Sequence, residues 1–159
     1  MKKTAIFLFT LAVTSIFAVE IDVDGKFSNF RRNWSISSTR NGSAELIPVN
    51  GVNYVQISAD DDKRGSIGIL TAFGVPCRSG EMITVTVTVK GGHFEISLYE
   101  YGNKKVTGKQ FQKFKASAEP RTYKAAFTVR ESATDLVRVA FNVKRGASIV
   151  INDVKVSKK

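Results

Sequence analysis

Ile83-Thr84-Val85-Thr86-Val87-Thr88-Val89 alternates apolar and hydroxyl side chains at every position, a pattern that no amphipathic helix can use. Successive side chains of a strand point to opposite faces, so here the isoleucine and valines enter a core while the threonines face out. Gly91-Gly92 then turns the chain into residues 93–101, where Phe94, Ile96 and Leu98 share one face. The same period recurs at short intervals. Tyr123, Ala125, Phe127 and Val129 line one face of a strand, and Val137, Val139, Phe141 and Val143 line the next. Earlier strands are predicted at 44–49, 53–58 and 66–72, with turns at Asn41-Gly42, Asn50-Gly51 and Asp60-Asp61-Asp62. About nine or ten short strands, with no repeat, no linker and no long helical period, predict an all-β fold. The expected architecture is a two-sheet antiparallel β-sandwich built as one domain.

The last strand breaks the alternation. Ile149 and Ile151 share one parity, whereas Val154 and Val156 share the other. A bulge of one residue near Asn152-Asp153 would bring all four to one face. The alternative is that Val150 and Val154 face a second apolar layer.

Residues 1–18 have the makeup of a signal peptide: Lys2 and Lys3, an apolar stretch to Phe17, and Ala18 at the cleavage position. The expected mature domain is 19–159, exported to the periplasm, the cell surface or the medium. A membrane span needs roughly 20 apolar residues, and Glu20, Asp22 and Asp24 interrupt the stretch too soon. Cys77 is the only cysteine, so it is expected to be buried and unpaired. The net charge is +10, or +8 without Lys2 and Lys3, which favours acidic partners. Export argues against nucleic acid as that partner.

Function is most legible in 93–101, where His93, Glu95, Ser97, Tyr99 and Tyr101 face away from Phe94, Ile96 and Leu98. A sugar needs flat rings against its C–H faces and polar groups at its hydroxyls. Tyr99 and Tyr101 can supply the rings. Glu95, Arg138 and Asn142 can supply polar contacts from strands that could share a sheet. Trp34 is the largest ring available, with core packing as its plainer role. The plainer reading of the whole face is a solvated surface that tolerates two tyrosines. Residues 104–115 hold five lysines, two phenylalanines and no acid. They read as an edge strand kept from pairing by its lysines, or as a contact for acidic polysaccharide. Catalysis finds no support: there is no Gly-x-Ser-x-Gly elbow, no phosphate loop, no histidine pair and no legible pair of carboxylates.

Gly25-Lys26-Phe27-Ser28 with Trp34, Gly80-Glu81 leading into 83–89 and Gly91, and Thr128 to Val143 followed by Gly146 and Ile151-Asn152-Asp153-Val154 occur in an informative order. In that order the chain resembles carbohydrate-binding modules with a galactose-binding-like jelly-roll fold. The resemblance implies a secreted, non-catalytic module that binds a polysaccharide or glycan on a sheet face or adjacent loops, with no required cofactor. It also implies a structural calcium held by Asp153, backbone oxygen near Gly25, and Asp24, although Ser28 stands where an acidic ligand is often found. The rival expectation is an envelope-associated structural or adhesive β-sandwich that makes protein contacts.

Overall fold

The computed structural model describes residues 18–159, so the predicted signal peptide, apart from Ala18, lies outside the described residues. The elements follow as β1 (Val19–Ile21), a single helical turn α1 (Phe30–Asn33), β2 (Trp34–Ser37), β3 (Gly42–Val49) and β4 (Val52–Ala59). Then come β5 (Ser66–Thr71), β6 (Val75–Pro76), β7 (Met82–Gly91), β8 (His93–Gly102) and β9 (Lys105–Lys115). The last three are β10 (Arg121–Thr128), β11 (Leu136–Lys144) and β12 (Ser148–Lys158). They build two antiparallel sheets. The first runs β10-β7-β12-β4-β3 with β1 beside β12; the second runs β2-β5-β11-β8-β9 with β6 beside β11. The strands unforeseen in the sequence include β1 and β6, which are too short to display a period.

The alternation does what the sequence implied. Ile83, Val85, Val87 and Val89 of β7 pack in one core with Ile96 and Leu98 of β8 and Val137, Val139, Phe141 and Val143 of β11. On β12 the register shifts between Asn152 and Lys155, and Ile149, Ile151, Val154 and Val156 all end inside. Asp153 takes the left-handed conformation (φ 51°) at that bulge. The chain entering α1 comes very close there: the Val154 N–H donates to the Gly25 carbonyl at 2.9 Å. A Cβ at Gly25 would lie 1.6 Å from the Val154 carbonyl oxygen, so only glycine fits.

Trp34 corrects one expectation. It is 2 % exposed and lies between the sheets, 5.4 Å from the Phe27 ring and 6.0 Å from Phe141. Its indole N–H donates to the Asp24 carbonyl at 3.2 Å. A ring enclosed in this way stabilises the core and offers no face to a ligand, so Trp34 leaves the candidate site.

The strand β9 is an edge, as its lysines implied, and its inward side is put to use. Gln110 and Gln112 donate to the carbonyls of Thr128 and Ala126 at 2.7 and 2.9 Å, covering backbone acceptors of β10, the edge of the other sheet. Cys77 is buried, and burial, followed by the Glu81 charge, pushes its thiol up to about 11. It is protonated and unreactive at neutral pH.

Candidate functional site

The two faces of β8 part at every residue, and its outer face meets its neighbours in a fixed register. The β8–β11 ladder sets Tyr99 beside Arg138, Ser97 beside Ala140, and Glu95 beside Asn142. The β8–β9 ladder sets Tyr99 beside Lys109, Ser97 beside Phe111, and Glu95 beside Lys113. Across the sheet this makes three rows: Arg138–Tyr99–Lys109, Ala140–Ser97–Phe111, and Asn142–Glu95–Lys113. Leu136 and Tyr101 close one end. Five of the six residues expected to touch a ligand, Glu95, Tyr99, Tyr101, Arg138 and Asn142, thus share one outer face. Trp34 does not.

Tyr99 and Tyr101 are half-buried, with part of each side chain open to solvent. Each ring carries a cation. The Lys109 ammonium lies 5.1 Å from the Tyr99 centroid, and the Arg138 guanidinium carbon lies 5.2 Å from that of Tyr101. In the middle row Ala140 is small and Phe111 is large and half-exposed, and the side chains around Ser97 bury it completely (0 % exposed) although it sits on the outer face. A polar chain crosses there. Asn142 donates to the Ser97 hydroxyl at 3.2 Å, Ser97 donates to Glu95 Oε1 at 2.8 Å, and Lys109 donates to the same oxygen at 3.3 Å. Partial burial works against the Lys109 charge, but its contacts with Tyr99 and Glu95 outweigh that and raise its pKa.

Gly68 of β5 makes room for this chain. A Cβ there would lie 2.4 Å from Asn142 Oδ1 and 2.3 Å from the Phe141 carbonyl oxygen. At the end opposite Tyr101, His93, Lys113, Lys144 and Arg145 surround Glu95 and Asn142 at a cavity of about 200 Å³. Glu95 is the one carboxylate among the paired outer positions of β5, β8, β9 and β11. Lys109, Ser97 and Gly68 belong to the site without having been singled out. Parity placed Ser97 on this face, but only the β8–β9 register brings Lys109 to Tyr99.

The residues implied for calcium are arranged differently. Both Asp24 carboxylate oxygens accept backbone N–H groups, from Ser28 and Asn29 at 2.8 Å each, and Asn33 adds its amide at 3.3 Å. The Gly25 carbonyl is engaged by Val154, and Asp153 lines the shallow cavity beside it. Calcium asks for six to eight oxygens. Among the described residues no group of three or more acidic, histidine or cysteine side chains could hold a metal ion. As they stand, Asp24, Gly25 and Asp153 do not fit one.

No protein-family model matches the chain, and no curated protein matches its sequence. Solved structures do match. A family 11 carbohydrate-binding module from Clostridium thermocellum, in complex with a β-1,3-1,4-mixed-linked tetrasaccharide, aligns over 87 % of this chain and 94 % of its own, at 14 % identity and TM-score 0.60. The CBM22-2 xylan-binding domain of Paenibacillus barcinonensis Xyn10C aligns over 90 % and 99 %, at 13 % identity and TM-score 0.58. The enzymatically active domain of bacteriophage CBA120 tailspike protein 4 aligns at 16 % identity and TM-score 0.62 over 84 % of this chain; the chain spans only 20 % of that one. At these identities the likeness shows the fold: a jelly-roll sandwich of the kind found in carbohydrate-binding modules.

Proposed function

We propose that this protein is an exported, non-catalytic module that holds a polysaccharide or glycan across the outer face of its second sheet. One observation carries the reading. Tyr99 and Tyr101 stand part-exposed on one face, in register with Arg138 and beside the Asn142–Ser97–Glu95 chain. Rings for C–H faces and polar groups for hydroxyls therefore occur together, with a closed core behind them. Glu95 has no second carboxylate beside it on this face, which argues against glycoside hydrolysis by paired acids. The matched modules of similar length support the same reading, and the cation excess around the rings extends it to acidic polymers.

Affinity electrophoresis against neutral and acidic polysaccharides tests it. Tyr99→Ala is expected to weaken retention about tenfold, the loss of roughly 1.4 kcal/mol of ring contact, while the melting midpoint stays near that of the parent. Unchanged retention in that variant removes Tyr99 from the site. Retention of no glycan at all returns the protein to the structural or adhesive reading.

A further inference from the structure

Among the described residues, one buried side-chain nitrogen or oxygen lacks a hydrogen-bond partner: Nε of Arg138. Such a group has given up water for nothing and calls for an explanation. No acid supplies one, since the ion pairs among the described residues are Lys63–Asp62, Lys109–Glu95 and Lys158–Glu81. The Tyr101 ring steadies the guanidinium at 5.2 Å but offers no acceptor to its directional N–H groups. The arrangement is repeated one row away, where Lys109 stands 5.1 Å from the Tyr99 ring. Arg138 and Lys109 also flank Tyr99 in one cross-strand row. Neighbouring strands lie about 4.8 Å apart, so a pyranose resting on Tyr99 has a cation within reach of its substituents on either side.

We propose that Tyr101–Arg138 and Tyr99–Lys109 are ring-plus-cation subsites for the uronic acid units of an acidic polysaccharide, with Arg138 reading the carboxylate. This rests on the glycan reading above and names its ligand class. A uronic acid carries both halves of the match: an apolar C–H face for the ring and a planar carboxylate at the edge of the pyranose. The flat guanidinium fork donates two parallel hydrogen bonds to a carboxylate; Nε, closed off from solvent in the free protein, joins them only if the side chain turns on binding. A neutral sugar brings hydroxyls but no charge, and a sulfate ester brings charge without the planar fit.

The test uses polygalacturonate and alginate, each before and after carboxyl reduction, with dextran sulfate as a charge control. The protein is expected to bind the acidic polymers about tenfold to a hundredfold more tightly than their reduced forms. That preference should survive about 0.5 M salt, where diffuse surface attraction is screened. Arg138→Gln should abolish the preference, its loss of affinity for the acidic polymers exceeding its loss for the reduced ones about tenfold. Arg138→Lys keeps the charge but not the fork, and should lose most of the preference as well; melting curves check that both variants fold.

Equal affinity of the parent for acidic and reduced polymers overturns the proposal. So does an equal loss on both polymers in Arg138→Gln, an undiminished preference in Arg138→Lys, or retention of dextran sulfate as tight as that of the uronates. If reduced and neutral polymers bind in a Tyr99-dependent way without preference for acid, only this proposal fails. If nothing binds, the glycan reading fails with it.

Discussion

Glu95 and Glu100 sit five residues apart on β8 and face opposite sides of the sheet. Both are almost wholly buried, at 6 % and 1 % exposed. Glu100 points inward and is saturated. It accepts the backbone N–H groups of Arg130 and Glu131 at 3.0 and 2.9 Å, the Thr134 hydroxyl at 3.2 Å and the Gln110 amide at 2.7 Å. Burial pushes its pKa up, but these donors, the Glu131 N–H foremost, outweigh that and hold it below the ordinary glutamate value. Glu95 points outward, and all its hydrogen bonds from the described residues fall on Oε1. Its second oxygen is left for something else. Burial alone therefore does not distinguish a structural carboxylate from one in a binding surface; the number of donors already spent on it does.

The sharpest break of that comparison is Glu100→Gln. The amide can keep an oxygen for the three donors on Oε2, but its NH₂ would confront the Gln110 amide, and the loop 130–134 would lose the charge that holds it. We expect about 3 kcal/mol of lost stability by chemical denaturation at neutral pH, the range for breaking a buried charged network. The pH dependence has a definite sign. The folded pKa lies below the unfolded one, so this carboxylate contributes its stabilisation above the unfolded value and loses it as pH falls through the folded value. The variant should show a shallower acid loss of stability than the parent. A parental midpoint at neutral pH would mean that the four donors do not anchor the loop.

Glu95→Gln sharpens the other side. Its ion-pair partner Lys109 is substantially exposed, so the pair contributes little to folding, and the stability change should stay within about 1 kcal/mol. Glycan affinity should fall about threefold to tenfold, because a neutral amide oxygen holds Ser97 and Lys109 less firmly than the carboxylate and an NH₂ replaces its open second oxygen. A large loss of stability without loss of binding would place Glu95 with Glu100.

How much of this could be read in the sequence depends on what parity can see. Parity gave both faces of β8 and β11 and the core valines; at Asn152-Asp153 it showed a broken alternation, and only the register shift makes that a bulge rather than a second apolar layer. The same parity carries Glu100 to the inward face, unread in the sequence, where a charged residue signals a buried network. Parity is blind to register: that Lys109 lies beside Tyr99 depends on which residue of β9 meets which of β8, and the bulge between Glu100 and Tyr101 shifts that pairing. Nor does a lone aromatic have a period. Core packing was the plainer role for Trp34, but nothing in the sequence named Phe27 and Phe141 as its partners.

Asp24 brings the comparison to its smallest expected effect. Its two oxygens are filled by the N–H groups of Ser28 and Asn29, which makes it a relative of Glu100 in chemistry although it lies near the surface. A carboxylate spent on backbone donors is a poor calcium ligand, because coordination would strand those donors. A native-state site with a Kd of about 10 µM would add roughly 2.7 kcal/mol at about 1 mM calcium and move the melting midpoint by several degrees. We expect no measurable movement at that concentration. A clear rise would show that the turn from Asp24 to Asn29 rearranges to release its carboxylate, and would move Asp24 from the company of Glu100 to that of Glu95.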